Sequence, residues 1–255
     1  MRKSTAAIVT GAGSGIGAAC ARILAKRGHT VLGVDLDGGA ISTLSGETDG
    51  STIAIEGDVT AASLPDRLDA ALTEHGLDLE LLVNNAGISL RGRVDETSDA
   101  ELETILAVNV SSVFRLSRLA VERMEAKGGA IVNISSVYGD VGAASAAAYS
   151  LTKGAVTALT RQMATDFGPV GIRVNAVAPG VIATPMLAER IASEPFRRMV
   201  TIEHCPLRRA GTADEVAEVV AFLGSDAAAF VTGETIRVDG GWTASCFPRQ
   251  IDPVQ

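Results

Sequence analysis

Short apolar runs alternate with longer segments of helical periodicity along the 255 residues of this chain. A strand that is apolar throughout must be covered on both faces, which is typical of parallel sheets with helices on either side. Right-handed crossovers then favour a doubly wound arrangement. The sequence therefore predicts an α/β fold whose strands lie at residues 6–10, 30–34, 52–55, 79–83, 130–134, 173–178 and 235–238.

The first predicted strand runs directly into a glycine-rich loop, TGAGSGIG at residues 10–17, which opens a helix. Glycines let the backbone approach a pyrophosphate closely, and a helix N-terminus offers free N–H groups with a partial positive charge. The strand before the loop and the helix after it favour a dinucleotide site over an ordinary turn. The whole fold is then a single-domain, Rossmann-type sheet.

Asp35 ends the second predicted strand, eighteen positions after Gly17. A carboxylate there can accept hydrogen bonds from the adenosine ribose and would repel a 2′-phosphate. No Arg or Lys stands at Ser14, Leu36 or Asp37 to attract that phosphate, so the sequence predicts NAD rather than NADP. A turn that begins at Asp35 is the other interpretation, and the two are compatible.

One dinucleotide-binding catalytic domain is predicted over residues 1–245, with a C-terminal tail at 246–255. No linker or internal repeat divides it. Residues 184–212 are irregular, contain three prolines and follow a strand end, where ligands bind in such sheets. We interpret them as a substrate-covering flap, with a plain surface excursion as the alternative. Helices are predicted at 16–27, 63–74, 99–125, 147–167 and 214–222.

Composition excludes several classes of partner. A net charge of −8 argues against nucleic acid, which usually needs a basic patch. Three scattered cysteines and three scattered histidines form neither a disulfide framework nor a metal site, and indicate a reducing compartment. The N-terminal apolar run is too short for a signal peptide or a membrane span. We therefore expect a cytoplasmic protein without metal or membrane partners.

Five further motifs follow the glycine loop: NNAG at 84–87, Asn109, Ser136, YxxxK at 149–153, and PG at 179–180. Ser136 precedes Tyr149 by thirteen residues. One YxxxK is a common accident, but the order and spacing of the whole set resemble the short-chain dehydrogenase/reductase family. The resemblance extends over residues 10–242.

The resemblance implies a catalytic tetrad of Asn109, Ser136, Tyr149 and Lys153, and an NAD(H)-dependent oxidoreductase. It also implies a homotetramer built through the helices predicted at 99–125 and 147–167. Cofactor contacts are expected from Gly11, Ser14, Gly15, Ile16, Gly17, Asp35, Asp58, Val59, Asn85, Ala86, Gly87, Tyr149, Lys153, Pro179, Gly180, Val181 and Thr184.

These residue types suit alcohol oxidation or ketone reduction, in which the protein must manage a proton while the cofactor carries the hydride. Tyrosine is a poor base, with a pKa of about 10. Lys153 follows Tyr149 by four residues on one helix face, so we expect its ammonium to lower the pKa of Tyr149. Ser136 would hold the substrate oxygen, and Asn109 would hold a water near Lys153.

The substrate itself is weakly constrained. Mostly apolar residues flank the motifs, which favours a modest secondary alcohol or ketone. The candidate contacts are Ser89, Ser136, Val137, Tyr138, Tyr149 and Met186. Two other functions stay open: an epimerase or lyase on the same fold, against which the intact glycine loop argues, and a non-catalytic dinucleotide-sensing protein, against which the complete tetrad argues.

Overall fold

A computed structural model describes residues 5–183, 193 and 195–245. The strands are β1 (Thr5–Thr10), β2 (Thr30–Asp35), β3 (Thr52–Glu56), β4 (Asp78–Asn84), β5 (Gly129–Ile134), β6 (Ile172–Pro179) and β7 (Thr235–Val238). The helices are α1 (Gly15–Lys26), α2 (Gly38–Glu47), α3 (Leu64–Glu74), α4 (Asp99–Leu106), α5 (Ser112–Met124), α6 (Ala147–Phe167), α7 (Pro195–Arg198) and α8 (Ala213–Leu223).

The seven strands form one parallel sheet in the order β3-β2-β1-β4-β5-β6-β7. The chain winds outward from β1 in one direction and then returns to β4, which pairs with the other side of β1. The carboxyl ends of β1 and β4 therefore meet at the point where the strand order reverses, where ligands bind in open sheets of this type. The predicted fold class is confirmed.

Both faces of the sheet are buried, as the continuous apolar strands predict. In β1, Ala7 and Val9 point into a core shared with α1 and α8. Ala6 and Ile8 point to the opposite face, where the core includes Leu68 of α3 and other apolar side chains of α5 and α6. The alternation of side chains along a strand thus supplies two separate cores from one apolar run.

Helix α2 was not predicted, because residues 38–47 carry only two buried apolar side chains, Ile41 and Leu44. Its start is defined instead by Asp37, whose carboxylate accepts a hydrogen bond from the Ala40 backbone N–H at 3.0 Å. The turn that the sequence indicates from Asp35 leads directly into this helix, which begins at Gly38. A polar cap, rather than apolar periodicity, marks this helix.

The predicted helix at 99–125 is α4 and α5 joined by a π-helical segment, Ala107–Ser111. By length and composition alone, Asp99–Met124 is long and apolar enough to cross a membrane, a test that core helices of soluble proteins also pass. Within its most apolar 18-residue stretch, 44% of the residues are buried inside the protein. The expectation of no membrane partner stays a prediction. Residues 184–192 and 194 of the predicted flap, and the whole tail at 246–255, lie outside the described residues.

Candidate active site

The glycine loop turns sharply between β1 and α1. Gly11 and Gly15 both have left-handed backbone conformations, with φ of 65° and 54°. Gly17 is required by close packing, since a Cβ at this position would lie 2.0 Å from the carbonyl oxygen of Gly11. Ser14 precedes the helix in an extended conformation, and its side chain forms no capping bond. The first amides of α1 therefore face the loop without a side-chain acceptor from Ser14, as a pyrophosphate site needs.

The end of β4 is bonded to this loop. The Asn85 side-chain amide donates to the carbonyls of Thr10 at 2.9 Å and Gly11 at 3.2 Å. In return, the Thr10 hydroxyl oxygen accepts from the backbone N–H groups of Asn85 and Ala86, both at 3.0 Å. The NNAG motif thus braces the glycine loop from the neighbouring strand and holds the mouth of the cleft in shape.

A cleft of about 390 Å³ opens at this switch point. Ten predicted cofactor residues line it: Gly11, Ser14, Gly15, Ile16, Asp35, Asp58, Val59, Asn85, Ala86 and Gly87. Sequence reasoning missed five others, each adjacent in sequence to a predicted site residue: Val34, Leu36, Gly57, Ile88 and Val108. Gly17 packs behind the loop, Pro179 ends β6, and Thr184 lies outside the described residues.

Asp35 lies at the carboxyl end of β2, beside the glycine loop. One carboxylate oxygen accepts from the Gly13 backbone N–H at 2.8 Å, and the other accepts from the Asp37 N–H at 3.0 Å. Asp35 therefore both begins a turn and borders the cleft, so the two interpretations of this residue hold together. Its half-buried carboxylate places a negative charge at the cleft wall.

Asn109 lies in the π-helical segment between α4 and α5 and is buried. Its amide donates to the Ile88 carbonyl at 2.9 Å and to the Thr152 hydroxyl at 3.1 Å, while its oxygen accepts from the Ile88 N–H at 2.9 Å. A Cβ on Gly87 would lie 3.2 Å from the Asn109 oxygen and 3.6 Å from Lys153 Nζ. Gly87, which lines the cleft, thus faces both of these predicted catalytic residues.

Lys153 is buried, with 5% of its surface exposed, and its Nζ donates to the Ile134 carbonyl at 2.8 Å. The same nitrogen lies 5.6 Å from the centre of the Tyr149 ring. The Tyr149 hydroxyl is hydrogen-bonded to Ser136, which follows β5. The structure therefore brings together all four residues of the predicted tetrad, from three separate segments of the chain.

Burial controls the ionisation of this cluster. It lowers the pKa of Lys153 to about 8, because the ammonium loses hydration that one carbonyl does not replace. Burial also raises the pKa of Tyr149, and the hydrogen bond from Ser136 offsets this only in part. The expectation that Lys153 lowers the pKa of Tyr149 is thus wrong for the chain by itself, since desolvation outweighs every other influence.

A second pocket, of about 240 Å³, adjoins the tetrad. Of the predicted substrate contacts, Ser89, Ser136, Val137, Tyr138 and Tyr149 line it, together with Gly180 and Val181, while Met186 lies outside the described residues. Sequence reasoning did not name three lining residues, Val200, Thr201 and Trp242, although Val200 and Thr201 lie within the predicted flap at 184–212. No motif marks them, because they reach the pocket only through the tertiary fold.

Comparisons with known proteins agree with this geometry. The family model described as Enoyl-(Acyl carrier protein) reductase, a short-chain dehydrogenase/reductase model, matches residues 11–243. The chain belongs to the short-chain dehydrogenase/reductase family and is an oxidoreductase.

Individual relatives cover nearly the whole chain. Cis-4-hydroxycyclohexanecarboxylate dehydrogenase from Sinomonas cyclohexanicum is 42% identical over 93% of this chain and 96% of its own length. Cyclopentanol dehydrogenase from a Comamonas species is 41% identical over 93% of this chain and 96% of its own length. The crystal structure of a protein proposed to be a gluconate dehydrogenase, from Agrobacterium tumefaciens, superposes on this chain with a TM-score of 0.90 at 33% identity. The match covers 95% of this chain and 97% of that one.

Proposed function

We propose that this protein is an NAD-dependent dehydrogenase that interconverts a small secondary alcohol and its ketone, with Tyr149 as the general acid and base. One observation carries the proposal. Tyr149 and Ser136 line a small pocket, and the neighbouring Lys153 lies close to Gly87, which lines the dinucleotide cleft. Proton transfer to Tyr149 and hydride transfer to the cofactor act on the same substrate group, so they need a substrate pocket beside the dinucleotide cleft.

The cleft fits a dinucleotide on its own geometry. Two left-handed glycines and the close packing at Gly17 leave backbone, not side chains, at the pyrophosphate position. Gly11, Ser14, Gly15 and Ile16 would hold that group, and Asp35 would accept from the ribose hydroxyls. The charge of Asp35 and the absence of Arg or Lys among the described cleft-lining residues support NAD over NADP.

The remaining chemistry belongs to side chains. Bound NAD supplies the hydride acceptor. In alcohol oxidation, Ser136 donates a hydrogen bond to the substrate oxygen while the Tyr149 phenolate removes its proton. The Lys153 ammonium, 5.6 Å from the ring centre, would favour that phenolate only together with the positive charge of a bound oxidised cofactor, because burial alone raises the pKa of Tyr149. Asn109 ties Thr152, next to Lys153, to the Ile88 backbone. In ketone reduction, the same tyrosine returns the proton.

A compact substrate with both apolar and hydrogen-bonding groups is supported by the pocket walls, which combine four apolar side chains with five hydroxyl-bearing ones. The apolar ones are Val137, Val181, Val200 and Trp242, and the hydroxyl-bearing ones are Ser89, Ser136, Tyr138, Tyr149 and Thr201. The volume lies below the roughly 300 to 1,000 Å³ of typical ligand sites. Two relatives carry names that describe oxidation of hydroxylated rings. We therefore propose alicyclic secondary alcohols, such as cyclopentanol, as the substrate class.

We further propose a cytoplasmic homotetramer without nucleic-acid or membrane partners. Exposed apolar side chains on α5 and α6, Phe114 and Leu151, support helix-mediated assembly, since they would otherwise face water. The buried free thiols of Cys20 and Cys205 suit a reducing compartment.

Replacing Tyr149 with Phe tests the catalytic proposal. The variant keeps the ring but loses the acid/base hydroxyl, so turnover of a panel of secondary alcohols, followed by NADH absorbance, should fall by roughly a hundredfold or more. NAD affinity, measured by calorimetry, should stay unchanged. Near-wild-type turnover would remove Tyr149 from the mechanism. A wild-type protein that binds NAD but oxidises none of the alcohols would favour a dinucleotide sensor.

A further inference from the structure

A series of aromatic rings leads from the candidate catalytic tyrosine to the outer wall of the substrate pocket. The Tyr138 ring meets Tyr149 edge-on, with centroids 6.5 Å apart and planes at 87°. Trp242 meets Tyr138 in the same manner at 6.3 Å, and His204 meets Trp242 at 5.7 Å. The indole of Trp242 therefore contributes the largest apolar ring of the pocket lining and is linked to Tyr149 through Tyr138.

The backbone holds Trp242 in this position through a rigid turn. The Asp239 carboxylate accepts from the N–H groups of Gly241 and Thr243, each at 2.9 Å. Gly241 has a φ of 83°, and a Cβ there would lie 3.0 Å from Pro206. The indole is thus presented by a turn that is bonded internally and packed from outside, so its direction is set before any ligand arrives.

The indole nitrogen also joins two walls of the pocket. It donates to the carbonyl of Val200 at 2.7 Å, and Val200 and Thr201 line the same pocket from the segment at 199–207. This segment is tied to the turn a second time, because the Leu207 N–H donates to the Gly240 carbonyl at 3.2 Å. Movement of the indole would therefore move the segment that covers the pocket.

We infer that Trp242 is the specificity-determining residue of this pocket: its indole, anchored to Val200, limits the size of the ring that the pocket accepts, so that a small ring binds better than a larger one. The identity of the substrates as alcohols rests on the proposed function. The size limit rests only on the pocket, whose volume of about 240 Å³ would grow if the indole were removed. An apolar pocket without such a wall would bind larger rings more tightly, because each added methylene buries more apolar surface.

Trp242 is the only tryptophan in the chain, so its fluorescence reports directly on this wall. The ligands are 1-methylcyclopentanol and 1-methylcyclooctanol, tertiary alcohols that have no hydrogen on the carbinol carbon and cannot be oxidised. With saturating NAD present, we expect the smaller ring to change the tryptophan emission. Calorimetry should show that it binds roughly tenfold or more tightly than the larger ring.

Three variants complete the experiment. Trp242→Ala should abolish or reverse the preference for the smaller ring, and should raise relative kcat/KM for cyclooctanol over cyclopentanol by roughly tenfold. Trp242→Phe keeps a ring at the wall but loses the bond to Val200, so it should retain most of the size preference with a higher KM. Phe230→Ala, at a fully exposed aromatic residue outside the pocket lining, is the matched control and should behave as wild type.

The outcomes separate this inference from the proposed function. A wild-type protein that oxidises no alcohol, yet shows a ring-size limit that Trp242→Ala removes, would refute the proposed reaction and support the inference. Active protein whose ring preference survives in Trp242→Ala would overturn the inference alone. If neither Trp242 variant folds, the wild-type protein alone still tests the inference. Binding of the smaller alcohol by calorimetry without any change in tryptophan emission would overturn the inference, and so would a failure to bind either alcohol.

Discussion

Replacing the buried Lys153 with Met should reveal the cost of holding a charged group in this site. The pKa of Lys153 falls from its ordinary 10.5 to about 8 on folding, because the ammonium is desolvated. At about 1.4 kcal/mol per pKa unit, charged Lys153 therefore costs the folded state about 3 kcal/mol.

The sign of the pH dependence follows from proton binding. Below pH 8 both folded and unfolded chains carry the charge, and the full cost is present. Between pH 8 and 10.5 the unfolded chain holds more protons, so the stability of the wild type rises with pH relative to the Met variant. Met also strands the Ile134 carbonyl, which costs about 1 to 3 kcal/mol at every pH.

At pH 7, Lys153→Met should thus be as stable as wild type, or more stable by up to about 2 kcal/mol, while alcohol oxidation is lost. Near pH 10.5 the variant should be the less stable by about 1 to 3 kcal/mol. Urea unfolding at fixed protein concentration, without added cofactor, measures both. Lys26→Met, at an exposed lysine of α1, controls for general alkaline effects. A wild-type-minus-variant difference that stays flat from pH 7 to 10.5 would refute the reasoning.

Three other substitutions test the cofactor cleft. Asp35→Asn removes a charge that would face a 2′-phosphate, so the ratio of NADP to NAD affinity should rise about tenfold or more in fluorescence titrations; an unchanged ratio would mean that Asp35 does not discriminate. Gly17→Ala places a methyl 2.0 Å from the Gly11 carbonyl and should abolish NAD binding by calorimetry, whereas Gly46→Ala, with open space around it, should leave affinity intact. Thr10→Val removes the hydroxyl oxygen that accepts hydrogen bonds from the Asn85 and Ala86 N–H groups, so it should lower the free energy of unfolding in urea by about 2 kcal/mol or more. Unaltered stability would show that these hydrogen bonds are dispensable.

Local patterns carried most of what could be predicted. The apolar runs located the seven strands of the described residues, because a strand covered on both faces buries most of its side chains and is therefore mostly apolar. Helix α2 escaped, since its N-terminus depends on one Asp37 cap and only two of its side chains are buried apolar residues. The π-helical segment that holds Asn109 escaped as well, because its apolar pattern does not differ from that of the flanking α-helices.

The candidate site residues could be found in the sequence because several of them lie at fixed short spacings. A tyrosine and a lysine four residues apart share a face of any helix, and a glycine-rich loop that leads from a strand into a helix N-terminus is suited to a phosphate group. The ionisation of that site was decided by tertiary structure, since the shifts in the pKa of Tyr149 and Lys153 come from burial by distant segments.

The wall that Trp242 forms in the pocket beside the tetrad depends on tertiary structure. Trp242, Val200 and Tyr138 are far apart along the chain and meet only when the C-terminal turn folds back over the sheet. No spacing rule links such residues, because the contacts among them depend on how every intervening element packs. The sequence by itself located the candidate tetrad, the glycine loop and the layered fold, whereas three-dimensional packing decided the direction of the pKa shifts and the shape of the pocket beside the tetrad.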